Sequence, residues 1–159
     1  MRIGEDLLLS MARRGEPDAV CRFAKRWWTA IYRFAFNMLG NASQAAAVTE
    51  ETMVVLLEPA HEPGEARTLV YRIALHFCLL RRRWAPHPIG QGSPIRQALQ
   101  RVPDLDRAAL LLRDVEALPI GEIAAILRAS PAEARARAHR ARLLLMDVTS
   151  AHDQVSKAG

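Results

Sequence analysis

Apolar positions recur at spacings of three and four along most of the chain. In residues 16–41, "EPDAVCRFAKRWWTAIYRFAFNMLGN", the side chains Val20, Phe23, Trp27, Ile31, Phe34, Ala35 and Met38 share one helical face. Pro17 suits a first helical turn, and Gly40-Asn41 suits a stop. Ahead of it, "GEDLLLSMARRG" predicts a short helix closed by Gly15. Behind it, "ASQAAAVTEETMVVLLE" predicts a third helix with Pro59 beyond its end. "HEPGEA" reads as a loop. "ARTLVYRIALHFCLLRRRW" predicts a fourth helix, stopped by Pro86 and Pro88. These four elements predict a helical bundle over residues 1–84.

The stretch "APHPIGQGSP" holds three prolines and two glycines in ten residues. It marks residues 85–95 as a linker between two domains. Residues 96–150 then predict a second helical domain from "IRQALQRV", "DLDRAALLLRDVEAL", "PIGEIAAILR" and "SPAEARARAHRARLLL". Asp104 is placed to cap the second of these helices, and Pro119 to start the third. Residues 151–159 are polar and predict a frayed, flexible tail. The predicted fold class is all-α, and the abundance of Ala, Leu and Arg agrees with it.

Charge sharpens this picture. The formal net charge is +5 over 159 residues. Residues 67–84 alone carry +5, and residues 128–142 carry five Arg against one Glu, so the remainder is slightly acidic. Two basic stretches in an acidic body fit a nucleic-acid binder with two contact sites. Cys21 and Cys78 lie far apart among apolar or aromatic neighbours, which predicts reduced core thiols in a cytoplasmic protein. No apolar run reaches membrane-spanning length, so no membrane insertion is expected. The five histidines are scattered without metal-ligand spacing, and there is no phosphate loop or nucleophile elbow. The expectation is a protein with no enzymatic activity, no metal and no cofactor.

The most informative stretch is "LRASPAEARARAHRARLLL", residues 127–145. Ser130 and Glu133 form a capping box, and Pro131 suits the first turn. Upstream, "PIGEIAAIL" predicts a short helix with Ile120, Ile123, Ala124 and Leu127 inward. Arg128, Ala129 and Ser130 alone separate the two, which is the helix-turn-helix pattern. On the second helix Ala134, Ala138, Ala141 and Leu145 share a narrow apolar back. Arg135, His139 and Arg142 line one flank, and Arg137 and Arg140 the other. With only Glu133 among these cations, the pattern predicts a helix that enters a DNA major groove.

These residues resemble the region-4 domain of extracytoplasmic-function (ECF) sigma factors. Leu118, Pro119, Glu122, Ile123, Ala124, Leu127, Ser130, Arg137, His139, Arg140, Ala141 and Arg142 match that family's pattern. "IYRFAFNMLGNASQAAAVTEETMVVLL" and "TLVYRIALHFCLLRRR" are similar to the family's region 2. The resemblance implies a factor that binds bacterial core RNA polymerase and directs promoter recognition. It implies contact with the −35 element through Ser130, Glu133, Arg135, Arg137, His139, Arg140 and Arg142. It implies contact with the −10 element through His61, Glu62, Arg67, Arg72, His76, Arg81, Arg82 and Arg83. Thr49, Glu50, Glu51, Val54 and Val55 would meet the polymerase clamp helices, and region 4 the flap. An anti-sigma factor is an implied partner.

The chain departs from the pattern at several places. Val48 and Glu50 stand where the family has Asp and Gln, and Leu69, His76 and Leu80 where it has Trp, Asn and Asp. Glu133, Ala134 and Ala136 replace Thr, Val and Ser, and Arg128 replaces a glycine that tolerates positive φ freely. Two other assignments remain open on these residues: a degenerate sigma-like decoy that binds an anti-sigma factor, and a plain helix-turn-helix DNA-binding regulator.

Overall fold

The computed structural model describes residues 2–59, 64–84 and 92–158. Eight α-helices occupy these residues: α1 (Arg2–Arg13), α2 (Pro17–Leu39), α3 (Ala42–Leu57), α4 (Ala66–Trp84), α5 (Pro94–Arg101), α6 (Asp104–Leu110), α7 (Ile120–Leu127) and α8 (Pro131–Lys157). The all-α reading of the sequence holds. Most of the 85–95 linker lies outside the described residues, and α5 already begins at Pro94.

Helices α1–α4 pack on one another as the first half. The inward face of α2 is Ala19, Phe23, Trp27, Ile31, Phe34, Ala35 and Met38, all buried. Each large apolar side chain among them contributes about 1.5–3 kcal/mol by leaving water. Tyr71 on α4 ties this face together, meeting Trp27 and Phe34 edge-on at 6.0 and 5.6 Å. Cys78 is buried, but Cys21 is exposed, contrary to the expectation of two core thiols. Cys21 sits two residues from both Ala19 and Phe23, about 200° around the helix from that inward line. Gly40 ends α2 in the left-handed region at φ 68°, and Asn41 caps α3 by accepting from Gln44 N at 2.9 Å.

In the second half, α8 runs behind α5, α6 and α7. Its back is narrow because Ala134, Ala138 and Ala141 are fully buried. The long predicted helix over 104–118 breaks differently from expectation. Asp104 does not cap it: Pro103 holds the cap position without a side-chain bond. After Leu110 the backbone takes one π-helical turn, Leu111–Val115, and then Ala117 turns left-handed at φ 56°. The polar residues after Thr149, predicted to fray, continue α8 to Lys157 as exposed helix. No glycine or proline interrupts that stretch, so nothing in the sequence stops the helix.

The two halves share one hydrophobic core. Ala108, Leu111, Leu112, Ile123 and Ile126 belong to the same buried cluster as Phe34, Leu69 and Ile73. Contacts run from α4 to α7 and from α2 to α5, α6 and the π turn. Arg107, fully buried, fastens them. Its guanidinium donates to Leu99 O, Gln100 O and Val102 O on one side and to Met38 O on the other, at 2.6–2.8 Å. The end of α5 and the end of α2 thus share one cation, which the carbonyl-rich ends of helices favour. Burial lowers the Arg107 pKa to about 10, so the group stays charged at neutral pH.

Candidate nucleic-acid interface

The α7–turn–α8 unit has the geometry that the sequence predicts. Ser130 Oγ accepts from Glu133 N at 3.1 Å, the expected N-cap. The reciprocal half of the capping box is absent, because the Glu133 carboxylate turns along the helix to Arg137, 2.7 Å away. Arg128 takes the place and the conformation of the family's glycine: φ 54°, ψ 45°, with its N–H closing α7. The turn is kept, at the cost of a left-handed backbone on a residue with a Cβ.

The cations of α8 are not uniform. Arg137 and Arg140 both reach Asp106 on α6, each with a contact of 3.1 Å. Asp106 is almost wholly buried, so two arginines close over one carboxylate. Its hydrogen bond raises the Arg140 pKa above the ordinary value. Arg142 holds Asp114 of the π turn through two contacts of 2.8 and 2.7 Å. The counter-charges that the local sequence lacks therefore come from about thirty residues upstream. Arg135 and His139 are different: both are exposed, with no ion pair among the described residues. Together with Ala132 and Ala136 they form an open face, one cation and one imidazole flanked by small side chains. Such a face admits close approach of base edges in a major groove.

The second predicted contact set lies mostly on α4. His61 and Glu62 fall outside the described residues. Arg67 is bound by Glu122 of α7 through two hydrogen bonds of 2.8 and 2.6 Å, and this pairing raises its pKa. Arg72 donates to Ala125 O at 2.7 Å. Arg82 Nε lies 2.5 Å from Asp104 Oδ1. Arg81 pairs with Glu51 on α3. His76 and Arg83 are exposed, and Arg83 leans over the Trp84 ring at 5.8 Å. Three of the five arginines in this set are thus engaged by the C-terminal half.

On α3, Glu50 and Val54 are exposed, and Val54 is a large apolar side chain 63% open to solvent. Glu51 faces Arg81. Thr49 is fully buried and donates its hydroxyl to Ala45 O at 2.7 Å, so it is absent from the surface where the sequence places it. Val55 points into a half-open apolar cavity of about 580 Å³ between α4, α6 and α7, which His76 and Arg128 also line.

Several residues of this arrangement were not singled out by sequence reasoning. Glu116 follows the π turn and is nearly buried; it accepts from Arg33 at 3.0 and 2.6 Å and from the Tyr71 hydroxyl at 2.7 Å. Burial, and then this bond, drive the Tyr71 pKa upward. Arg107 did leave a sequence signal, a lone arginine inside the apolar run "RAALLL". Among the described residues no cluster of His, Cys, Asp or Glu has the proximity to hold a metal, and no helix is long and apolar enough to cross a membrane.

Residues 93–145 match the family model described as "Sigma-70, region 4". The chain is 28% identical to the ECF RNA polymerase sigma factor SigE of Mycolicibacterium smegmatis, with 77% of this chain aligned. It spans 58% of that relative's length. Among solved structures it is similar to CnrH, determined in complex with the cytosolic domain of CnrY. The TM-score is 0.75 at 19% identity, over 92% of this chain and 97% of that one. At that identity the likeness is one of fold.

Proposed function

We propose that the chain is an ECF sigma factor, which binds bacterial core RNA polymerase and directs promoter recognition and transcription initiation. The observation that carries this reading is the exposed face of α8. A capped helix behind a tight turn presents Arg135 and His139 outward, within the residues that match region 4. Arg135 stands in the N-terminal part of α8, where side chains of such helices reach base edges. Glu50 and Val54 offer a mixed polar and apolar surface on α3 for the polymerase clamp helices. The arginines of α4 supply the contacts to the −10 element once they are free. Nothing in this scheme asks the chain itself for catalysis. It operates in the cytoplasm, where polymerase and promoter are.

A second reading has support of its own. The similar structure of CnrH is a complex with a protein partner, and the α4 arginines here are engaged within the chain. Both facts suit a chain whose main partner is an anti-sigma factor, with the degenerate region 2 serving as a decoy.

Transcription in vitro with core polymerase and a randomised promoter library separates the two. Specific transcripts that depend on the chain support the first reading. Polymerase binding without promoter opening, or no polymerase binding, supports the second.

A further inference from the structure

Beside the contact of α4 with α7, the packing leaves a gap. The half-open cavity of about 580 Å³ there falls within the range of about 300–1,000 Å³ usual for small-molecule sites. Its walls are aliphatic: Val55 from α3, Leu69 and Ile73 from α4, Leu105 from α6 and Ile126 from α7. Protein interiors pack as densely as organic crystals, so an apolar space of this size forfeits contacts along its whole lining. The polar groups of the lining are of one kind. Arg72, His76 and Arg128 contribute to it, and no acidic side chain stands among the described lining residues. His76 and Arg128 are exposed, as befits the mouth of the cavity. Arg72 gives Nη2 to Ala125 O at 2.7 Å, while its Nε is buried without an acceptor among the described residues. A buried donor left without a partner is the costly state of a hydrogen-bonding group.

We propose that this cavity is a binding site for a small amphipathic carboxylate, an unbranched fatty acid of medium chain length. A flexible methylene chain suits walls built from branched aliphatic side chains, among which Phe77 is the one apolar ring. The carboxylate suits the cations, because its two oxygens match the fork of a guanidinium. A small turn of the Arg72 guanidinium would give Nε and one Nη to those oxygens and supply the acceptor that Nε lacks. A neutral ligand leaves the two guanidinium groups uncompensated, and a cationic one is repelled by them. The walls come from both halves of the chain, so a bound molecule touches both and should raise the thermal midpoint. Occupancy needs neither polymerase nor DNA, so the site stands or falls apart from the transcriptional reading.

The test uses the full chain and four probes: decanoate below its micelle-forming concentration, decanol, acetate, and vesicles of anionic phospholipid. Calorimetric titration gives affinity and stoichiometry, and methyl NMR locates the site. Decanoate should bind one to one, shift the methyls of Val55, Leu69, Ile73, Leu105 and Ile126, and raise the thermal midpoint. Decanol should bind at least about tenfold more weakly, because it cannot accept the charged hydrogen bonds as an anion does. Acetate should not saturate the site, since it lacks the tail. Arg72→Met keeps an unbranched stem and removes the partner of the carboxylate. It should lose about tenfold on decanoate and little on decanol. Leu105→Trp fills the cavity and should abolish binding of both. Equal affinity for decanoate and decanol overturns the proposal, and so do methyl shifts confined to residues outside the cavity. Absence of saturable decanoate binding overturns it as well. Tight binding to vesicles without any decanoate shift overturns it too and makes this face a membrane contact. Should Arg72→Met lose its helical circular dichroism, Arg128→Met at the exposed mouth must show a smaller loss with the same selectivity for decanoate.

Discussion

Arg107 on α6 donates to the carbonyl of Met38, 69 residues earlier, at 2.6 Å. The same guanidinium satisfies Leu99, Gln100 and Val102 carbonyls, which no other cationic side chain matches in geometry. Lysine has a single ammonium on a flexible stem and cannot span four acceptors in a fork. Arg107→Lys should therefore destabilise the chain nearly as much as Arg107→Met. Both losses should be about 3–5 kcal/mol, the range for breaking a buried charged network. Urea unfolding checks this. A Lys variant within about 0.5 kcal/mol of wild type, the scatter of a neutral surface substitution, would place the stabilisation in charge rather than in the fork.

The two thiols should behave oppositely. Cys21 is exposed and should react promptly with an alkylating reagent at pH 8 in the native chain. Cys78 should react only on unfolding, since burial pushes its thiol from the usual 9.0 up to about 12. The linkage has a definite sign. Between those two values the folded chain keeps a proton that the unfolded chain releases, so stability falls as pH rises above 9. One such group contributes a slope of about 1.4 kcal/mol per pH unit. The buried Tyr71 hydroxyl, whose pKa is also raised, adds to the fall above pH 10. Denaturant titrations from pH 8 to 11 should show this loss, and Cys78→Ala should remove its first part.

The residues explain which features were legible in sequence. Ser130 was legible because a cap is a relation between neighbours, Ser130 and Glu133, three positions apart. The α2 core face was legible because helical periodicity needs no knowledge of the partner surface. Asp106 was not legible as the partner of Arg137 and Arg140. Thirty residues and a turn intervene, and only the packing of α6 on α8 brings them together. The closing of Glu122 on Arg67 depends on how two halves dock, 55 residues apart, which no local pattern encodes. The π turn escaped for a similar reason. Its apolar run "ALLLRDV" reads equally well as α-helix, and the wider turn shows only in the bond from Glu116 N to Leu111 O at 3.0 Å.

Arg128 supplies a prediction about strain. A left-handed residue with a Cβ costs roughly 1–2 kcal/mol. Glycine avoids that cost but loses about 0.5–1 kcal/mol more conformational entropy on folding. The Arg128 side chain is exposed and makes no ion pair among the described residues, so little else is lost by removing it. Arg128→Gly should therefore raise stability by about 0–1.5 kcal/mol, the difference of those two terms. Thermal unfolding of the full chain measures it. Destabilisation by Arg128→Gly would mean that the side chain makes a contact worth more than the strain.

The cations of α8 should separate by what they touch. Arg135 is exposed and unpaired among the described residues, near the helix start, so it is the base-reading candidate. Arg142 is paired with Asp114 at the surface, where both side chains are about 40% exposed. Its loss should cost little stability, as for surface pairs of about 0.2–1 kcal/mol. Arg140 is a poorer probe, because Arg140→Ala leaves the buried Asp106 to Arg137 alone. The informative pair is thus Arg135→Ala against Arg142→Ala in the full chain, each titrated with its selected duplex and a scrambled one across a salt series. Arg135→Ala should lose about 1–3 kcal/mol of discrimination between the duplexes, the value of a bidentate guanine contact. Arg142→Ala should weaken both duplexes equally and reduce the salt slope by roughly one unit, the signature of a phosphate contact. Equal losses on both duplexes for both variants would make α8 an electrostatic clamp without base readout.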